Sequence, residues 1–157
     1  MAMSGSWSPT DLPNLNDNNY IQTSPAWRGY NCIAWAAGDT TRWWWPLPQG
    51  MTYWPKGILR EVTLESFIQA FGTLGYLPCP DDSLEPEIEK IALFAKREGF
   101  QLVPTHAARQ LESGEWTSKI GTFEDINHTT LNAVSGPIYG KVVRFLSRCR
   151  PCSRIMQ

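Results

Sequence analysis

The sequence predicts an α+β domain in which helices come first and pack on a mainly antiparallel sheet. Two helix-like segments lie in the first half of the chain, and strand-like runs with a hairpin turn dominate the second half. The chain has 157 residues, of which 42% are hydrophobic and 18% charged, enough for one packed core. We divide it into an irregular N-terminal arm (1–26), a single domain (27–148) and a basic tail (149–157).

The first predicted helix is short and apolar and follows Asn31. Asparagine is a preferred N-cap, and Gly38 stands where a helix commonly ends in the left-handed conformation. The residues between them, 32–37, are mostly apolar, so we expect this helix to be buried. Cys32 then lies in its first turn.

The second predicted helix starts at Thr63 and ends before Gly75. Its apolar residues recur every three or four positions, as an amphipathic helix requires: Leu64, Phe67, Ile68, Phe71 and Leu74. The intervening segment 39–60 is rich in proline and aromatic residues, so it cannot be a regular helix. We call it the aromatic loop.

Strand-like runs follow the second helix. The first, 89–95, also permits a helical interpretation, whereas 102–111 and 115–120 flank a Ser-Gly turn and form a predicted hairpin. A short helix is predicted over 125–133 and a final strand over 139–146. Four cations alternate with apolar residues on these strands, a pattern typical of a solvated sheet face: Arg109, Lys119, Lys141 and Arg144.

Charge and hydropathy narrow the classes of partner. A net charge of −1 and a pI of about 6.1 argue against a bulk electrostatic grip on nucleic acid or an anionic membrane. No apolar run approaches the roughly 20 residues that cross a bilayer. Residues 1–19 lack the apolar core of a signal peptide, so we expect a cytoplasmic protein. No pattern indicates an oligomeric state.

Cys32 and His106 form the candidate catalytic pair. A helix N-terminus lowers the pKa of a thiol, and its free N–H groups can hold an oxyanion. The chain has only 2 histidines, so a base for Cys32 must be one of them, and His106 lies on a predicted strand. Such a pair needs no metal or cofactor. The alternative is that Cys32 is a small buried hydrophobe and His106 a structural histidine.

The residue that orients His106 has three candidates. Ser118 lies on the next strand of the predicted hairpin, near the position opposite His106 rather than directly across from it. Asp125 and His128 are the other two. The order of helix cysteine, strand histidine and a polar residue on the following strand is typical of papain-like enzymes.

Five sequence blocks carry a resemblance to known proteins. N-C-I-A-W-A (31–36), W-W-W-P (43–46), T-H-A-A-R-Q (105–110), W-T-S-K-I-G (116–121) and D-I-N-H (125–128) resemble an uncharacterised family of small bacterial proteins. More distantly, the layout is similar to the papain-like superfamily, with NlpC-type cell-wall peptidases as the nearest branch in size. NlpC-type enzymes usually carry a D-C-S-G-like block, whereas this chain has N-C-I-A.

The papain-like resemblance implies a fold and a set of roles. It implies Cys32 as nucleophile, His106 as general base and then acid, and Ser118 as the third residue, about a dozen positions after the histidine. It implies a thiol hydrolase or transferase acting on an amide bond of a peptide or protein: a peptidase, an amidase or a deamidase.

The aromatic loop suggests a second kind of function. Its indoles could form a binding wall beside the nucleophile, because aromatic rings stack on sugars, bases and peptide side chains. The candidate binding residues are Asn31, Trp43, Trp44, Trp45 and Trp54. In the other interpretation the indoles roof the core. The alternative function for the protein is a non-catalytic binding or interaction module that uses the aromatic loop as its contact surface. The Cys149-x-x-Cys152 pair cannot close a four-ligand metal site, so we interpret it as incidental.

Overall fold

The computed structural model describes residues 7–48 and 50–150. In these ranges one antiparallel sheet of seven strands carries two helices, which confirms the α+β class. The strand order is β1-β6-β5-β4-β3-β7-β2. The strands are β1 (Tyr20–Gln22), β2 (Leu77–Cys79), β3 (Ile88–Glu98), β4 (Gln101–Gln110), β5 (Trp116–Lys119), β6 (Asp125–His128) and β7 (Lys141–Cys149).

Both helices form where the sequence predicts them. Helix α1 (Cys32–Ala37) begins after Asn31, whose side-chain oxygen accepts the Ala34 N–H at 3.2 Å. It ends at Gly38, which has a φ of 85°, a conformation that favours glycine. Helix α2 (Leu64–Gly72) is capped by the Thr63 hydroxyl and buries one face of its amphipathic surface.

The sheet separates two hydrophobic cores. Alternate residues of β3 point to opposite faces, so Ile91 and Leu93 join α1, α2 and the aromatic loop in the helix-side core. Ala92 and Phe94 face the other way and join the arm-side core. The N-terminal arm supplies three buried side chains to this second core: Trp7, Leu12 and Leu15.

The arm is therefore less irregular than predicted. Its residues 20–22 form β1, an edge strand that pairs with β6 and brings Tyr20 opposite His128. A three-residue strand is too short to leave a periodic pattern in the sequence, and only its neighbour in the sheet defines it. The arm belongs to the folded unit through this pairing and through the arm-side core.

Other predictions in the second half differ from the structure. The segment 125–133 is the strand β6 followed by a 3₁₀ turn (Leu131–Val134), and the predicted helix there is wrong. Strand β2 is not predicted by the sequence analysis. Lys119 is fully buried, so the solvated face predicted for the cations is wrong at that position. Strand β7 extends to Cys149, and of the predicted tail the structure describes only 149 and 150.

The described residues contain no helix of the length and apolarity that crossing a bilayer requires.

Candidate active site

Strands β4 and β5 separate next to the candidate pair. They pair only at Arg109↔Thr117 and Gln110↔Trp116, although β4 begins eight residues before Arg109, at Gln101. Helix α1 packs against both strands, and its Trp35 indole donates to the Thr117 hydroxyl at 3.0 Å. The N-terminus of α1, which carries Cys32, is thereby held against the first part of β4.

A β-bulge lies beside His106. In the β3–β4 pairing Phe94 lies opposite His106 and Ala95 opposite Pro104, so Thr105 is the extra residue. A bulge bends the strand and changes the direction of neighbouring side chains and backbone groups. Here it places the Thr105 carbonyl oxygen 3.8 Å from the Cys32 sulfur.

Backbone groups surround the Cys32 sulfur. The N–H groups of Ala107, one residue after His106, of Ile33 and of Cys32 itself act to lower the pKa of its thiol. The structure therefore brings the sulfur to the backbone on both sides of His106. Its thiol is free and has its hydrogen-bond acceptor in Thr105. N–H groups clustered in this way can also hold a developing oxyanion.

Cys32 is held as a neutral thiol. Burial raises its pKa to about 11, although the Ala107 N–H and the Lys119 ammonium act in the opposite direction. The six-residue helix and the three N–H groups lower the pKa of the thiol by less than burial raises it. The predicted lowering of the thiol pKa is therefore wrong for the resting protein, and any attack by Cys32 requires a base to remove its proton.

His106, Ser118 and His128 form one buried hydrogen-bonded chain. The His106 Nε2 atom lies 3.0 Å from the Ser118 hydroxyl, which lies 2.8 Å from His128 Nε2. The Nδ1 atom of His128 lies 2.8 Å from the Thr130 carbonyl oxygen. All three side chains are fully buried. Two of the three candidates for the orienting residue, Ser118 and His128, are thus connected to His106 in series.

The partners in this chain determine where the protons are. A carbonyl oxygen only accepts, so His128 carries its hydrogen on Nδ1 and accepts at Nε2. The Ser118 hydroxyl has one hydrogen, which it donates to His128. His106 must then donate from Nε2 to Ser118, and its Nδ1 keeps a lone pair. That Nδ1 is buried and has no hydrogen-bond partner in the described residues.

Both imidazoles are neutral at physiological pH. Burial lowers the pKa of His106 well below its ordinary value, and the neighbouring His128 acts in the same direction. Burial also lowers the pKa of His128 to about 4, against the hydrogen bond to Thr130. The Nδ1 lone pair of His106 is therefore available near neutral pH as a weak base. It makes no hydrogen bond to Cys32: the His106 ring packs on Phe94 and Tyr139 of the arm-side core, whereas Cys32 belongs to the helix-side core. The structure therefore does not bring the two predicted side chains into contact.

Asp125, the third candidate, is placed elsewhere. Its carboxylate accepts the Tyr30 hydroxyl at 2.7 Å, and its neighbours include Lys119. The Lys119 ammonium is buried and donates to the carbonyl oxygens of Trp27, Gly121 and Phe123. These contacts tie the segment just before α1, with Trp27 and Tyr30, to the β5–β6 turn on the Cys32 side of the sheet. Burial lowers the pKa of Lys119.

The sequence analysis missed Tyr139, which covers His106. The two rings stack with their centroids 4.0 Å apart and 17° between their planes. Tyr139 lies in a tight turn closed by two hydrogen bonds between Gly136 and Gly140. A Cβ at Gly140 would lie 2.0 Å from the Ala95 carbonyl oxygen, so the turn requires glycine there. The G-P-I-Y-G pattern is the signal that could have indicated this turn.

An apolar cavity of about 270 Å³ opens on the far side of the Tyr139 ring. Residues from the arm, from the β5–β6 turn and from the Tyr139 turn line it, among them Trp7, Ile120, Phe123 and Ile138. At its edge the Gly121 N–H acts to lower the pKa of the Tyr139 hydroxyl, against the larger effect of burial. An apolar group bound there would lie one ring away from His106.

The candidate binding residues divide into buried and partly exposed groups. The Asn31 side chain is buried and bridges α1 to the aromatic loop through the N–H and carbonyl of Trp44. Trp44 and Trp54 are buried in the helix-side core, and Trp45 packs against it. These residues form a roof over the core, the other interpretation weighed above. Trp43 lines an open cavity of about 630 Å³.

The Cys149-x-x-Cys152 pair lies only partly within the structure. Cys149 is a free, exposed thiol at the end of β7, and Cys152 lies outside the described residues.

Comparison with known proteins identifies a family. No curated protein and no solved structure matches the chain. A family model described as a domain of unknown function, DUF7689, matches residues 21–147, which include α1, the aromatic loop, α2 and the sheet as far as β7. The match contains Cys32, His106, Ser118 and His128. The chain therefore belongs to the DUF7689 family.

Proposed function

We propose that this protein is a papain-like thiol hydrolase or transferase that acts on an amide bond of a peptide or protein. Cys32 is the nucleophile, His106 the general base and then the acid, and Ser118 the residue that orients His106. His128 extends this set as a positioning residue, because it accepts the hydrogen of Ser118. The proposal keeps the cytoplasm as the compartment, where a thiol stays reduced.

The observation that carries the proposal is the unpartnered Nδ1 atom of His106. Buried polar groups are nearly always hydrogen-bonded, and an exception calls for an explanation such as a catalytic role. The chain through Ser118 and His128 directs the hydrogen of His106 to Nε2 and leaves Nδ1 as an acceptor. The Cys32 thiol hydrogen-bonds to the Thr105 carbonyl, one residue before His106, so a movement that brings Sγ to Nδ1 has to precede the proton transfer.

The reaction begins from the neutral thiol and the neutral imidazole, after a movement that brings Sγ to Nδ1. As the sulfur attacks the amide carbon, the thiol proton moves to His106 Nδ1, and the carbonyl oxygen becomes an oxyanion held by backbone N–H groups at Cys32. His106 then gives that proton to the departing nitrogen as the C–N bond breaks, which leaves a thioester on Cys32. Water or an amine then attacks the thioester carbon and loses a proton to His106. The C–S bond breaks, the acid or the new amide leaves, and His106 returns the proton to the sulfur.

Substrate access requires a movement of Tyr139. Cys32 is 6% exposed and His106 is fully covered, in part by that ring. The apolar cavity behind the ring is where we expect an apolar group of the substrate to bind. We therefore expect the acyl part of the substrate to carry an apolar side chain.

The test is acetyl transfer from p-nitrophenyl acetate, an activated ester that needs no specific recognition. We expect one acetyl group per chain on Cys32, found by intact mass and peptide mapping. His106→Gln should slow it at least tenfold, because general base catalysis is removed. Cys79→Ser is the matched control and should leave the rate unchanged, since that thiol lies on the edge strand β2.

Two results would overturn the proposal. One is acetylation of Cys32 no faster than that of Cys79 in the folded protein. The other is a rate that His106→Gln leaves unchanged. Either result would favour the non-catalytic interaction module, in which Trp43 and its open cavity would form the contact surface. Circular dichroism of each variant separates a chemical loss from unfolding.

A further inference from the structure

We infer that three arginines at the C-terminal end of α1 form a binding site for a phosphate group. Arg109, Arg148 and Arg150 line a cavity of about 310 Å³, together with Ala37, Gly38 and Glu89. This cavity is separate from the proposed active site. It lies at the opposite end of α1 from Cys32, about 8 Å along a helix that rises roughly 1.5 Å per residue.

The sheet assembles the cluster from three strands. Glu89 of β3 lies opposite Arg148 of β7, and Ile91, two residues further along β3, lies opposite Arg109 of β4. Residues two apart on a strand share a face, so these side chains continue the helix-side face past the end of α1. Arg150 follows directly after β7 and reaches the same carboxylate.

The contacts within the cluster hold the guanidinium groups in place. Arg148 donates twice to Glu89 Oε1, at 3.2 and 3.0 Å, and Arg150 donates to Oε2 at 3.4 Å. Arg109 lies 3.8 Å from Oε2, beyond hydrogen-bond distance, and its guanidinium stands over the Trp35 ring. Two of the arginines also bind backbone carbonyls, of Leu74 and Ile88.

The charges in the cluster do not balance. Three guanidinium groups surround one buried carboxylate, which leaves an excess of two positive charges at the cavity. Glu112 approaches Arg150 at 3.7 Å, but its side chain is 81% exposed and solvent screens it. The arginine side chains are only 18–21% exposed, so water compensates their charge incompletely.

A phosphate dianion matches this site in charge and geometry. It carries the two negative charges that the cluster lacks, and its oxygens accept from several planar guanidinium forks at once. Arg109, whose Nε has no partner in the described residues, is the arginine least committed to Glu89. The cavity is larger than an inorganic phosphate ion, so the group can belong to a small phosphate ester.

The experiment titrates the full-length protein with inorganic phosphate and, in a second arm, with glycerol phosphate. The side-chain Nε–Hε signals of arginine are followed by NMR, and calorimetry gives the dissociation constant at constant ionic strength. We expect saturable shifts with one binding site. Tighter binding in the second arm would assign the site to a phosphate ester, and tighter binding in the first to the free ion.

Variants with the same change of net charge test the location. Arg109→Gln should raise the dissociation constant at least tenfold, whereas Arg144→Gln, at an exposed position on β7, should change it less than twofold. Arg109→Lys keeps the charge but loses the fork and should lie between them. Shifts that do not saturate, or equal losses in Arg109→Gln and Arg144→Gln, would overturn the inference. If Arg109→Gln does not fold, the inference is tested by whether the wild-type shifts saturate and by whether Arg109→Lys binds phosphate more weakly than the wild type does.

Discussion

The two ends of helix α1 bury polar groups in opposite ways. Near its N-terminus, Cys32 faces backbone groups of β4 on one side of the sheet, and two histidines and a serine form a chain on the other side. All of these side chains are neutral and almost completely covered. At its C-terminus, three arginines and Glu89 remain charged at the wall of an open cavity. Desolvation sets the protonation state at the first end. At the second, the charged groups form ion pairs and keep partial contact with solvent.

This contrast separates two kinds of chemistry within one short helix. A neutral site that excludes water suits proton transfer between a thiol and an imidazole, because both groups are buried and uncharged. A charged, partly wet site suits the recognition of an anion. Because of this difference, we expect acidification, substitution of a charged residue and removal of a hydroxyl to change stability and reactivity differently at the two ends.

Acidification should act most strongly at the neutral end. The pKa of His128 is lowered from its unfolded value, near 6.5, to about 4, so the unfolded chain binds the proton first as the pH falls. Its stabilisation is fully present above pH 6.5. Between pH 6.5 and 4.5, we expect the free energy of unfolding to fall by about 2 kcal/mol from this residue alone. His106, whose pKa is also lowered, adds to the loss.

Urea unfolding at a series of pH values measures this effect. His128→Gln is the informative variant, because the chain has only 2 histidines and the change removes one titrating group. In this variant the free energy of unfolding should fall less between pH 6.5 and 4.5, by the amount that His128 contributes in the wild type. An unchanged slope in His128→Gln would show that this histidine is not held neutral in the fold.

Removing the carboxylate should be the largest single substitution effect at the charged end. Glu89→Gln leaves three guanidinium groups without their buried counter-ion, and we expect a loss of about 2 kcal/mol in the free energy of unfolding after allowing for the partial exposure of the arginines. Glu112→Gln is the matched control and should cost less than about 0.5 kcal/mol, since its carboxylate is solvated. Similar costs for both variants would contradict a buried network at this end.

Loss of the Ser118 hydroxyl should have the smallest effect on stability and a clear effect on chemistry. Ser118→Ala leaves Nε2 of both histidines without a partner, at a cost of about 1 kcal/mol. Because His106 is then no longer fixed with its lone pair on Nδ1, acetylation of Cys32 should slow by roughly tenfold. Ser113→Ala, at the exposed hairpin turn, is the control. A normal acetylation rate in Ser118→Ala would remove Ser118 from the proposed mechanism.

Local signals in the sequence predicted the helices and most of the sheet. Asn31 and Gly38 bound α1, and the apolar spacing after Thr63 indicates α2, because caps and amphipathic faces are properties of a few consecutive residues. The hairpin of β4 and β5 follows from its Ser-Gly turn. The edge strands β1 and β2 were missed, since a strand of three residues exists only through the neighbour with which it pairs.

The candidate site was predictable in its members and unpredictable in its electrostatics. Residue types and order point to Cys32, His106 and Ser118, and the structure connects the last two directly. The protonation states depend on burial, which no local pattern reports, so the expected thiolate is a neutral thiol. Tyr139 lies in a glycine turn, 33 positions after His106 in the chain (139 − 106). Chain order does not reveal that the two rings are in contact.

The sequence by itself determined the class of fold, the position of Cys32 at a helix start and the short list of residues able to act with it. These follow from propensities and spacing, which operate over a few neighbouring residues. Only the tertiary structure decided that two histidines share one serine, that Lys119 is buried, and that three arginines converge on Glu89. Such relations depend on distance and desolvation between distant segments, and these exist only after the sheet has formed and excluded water.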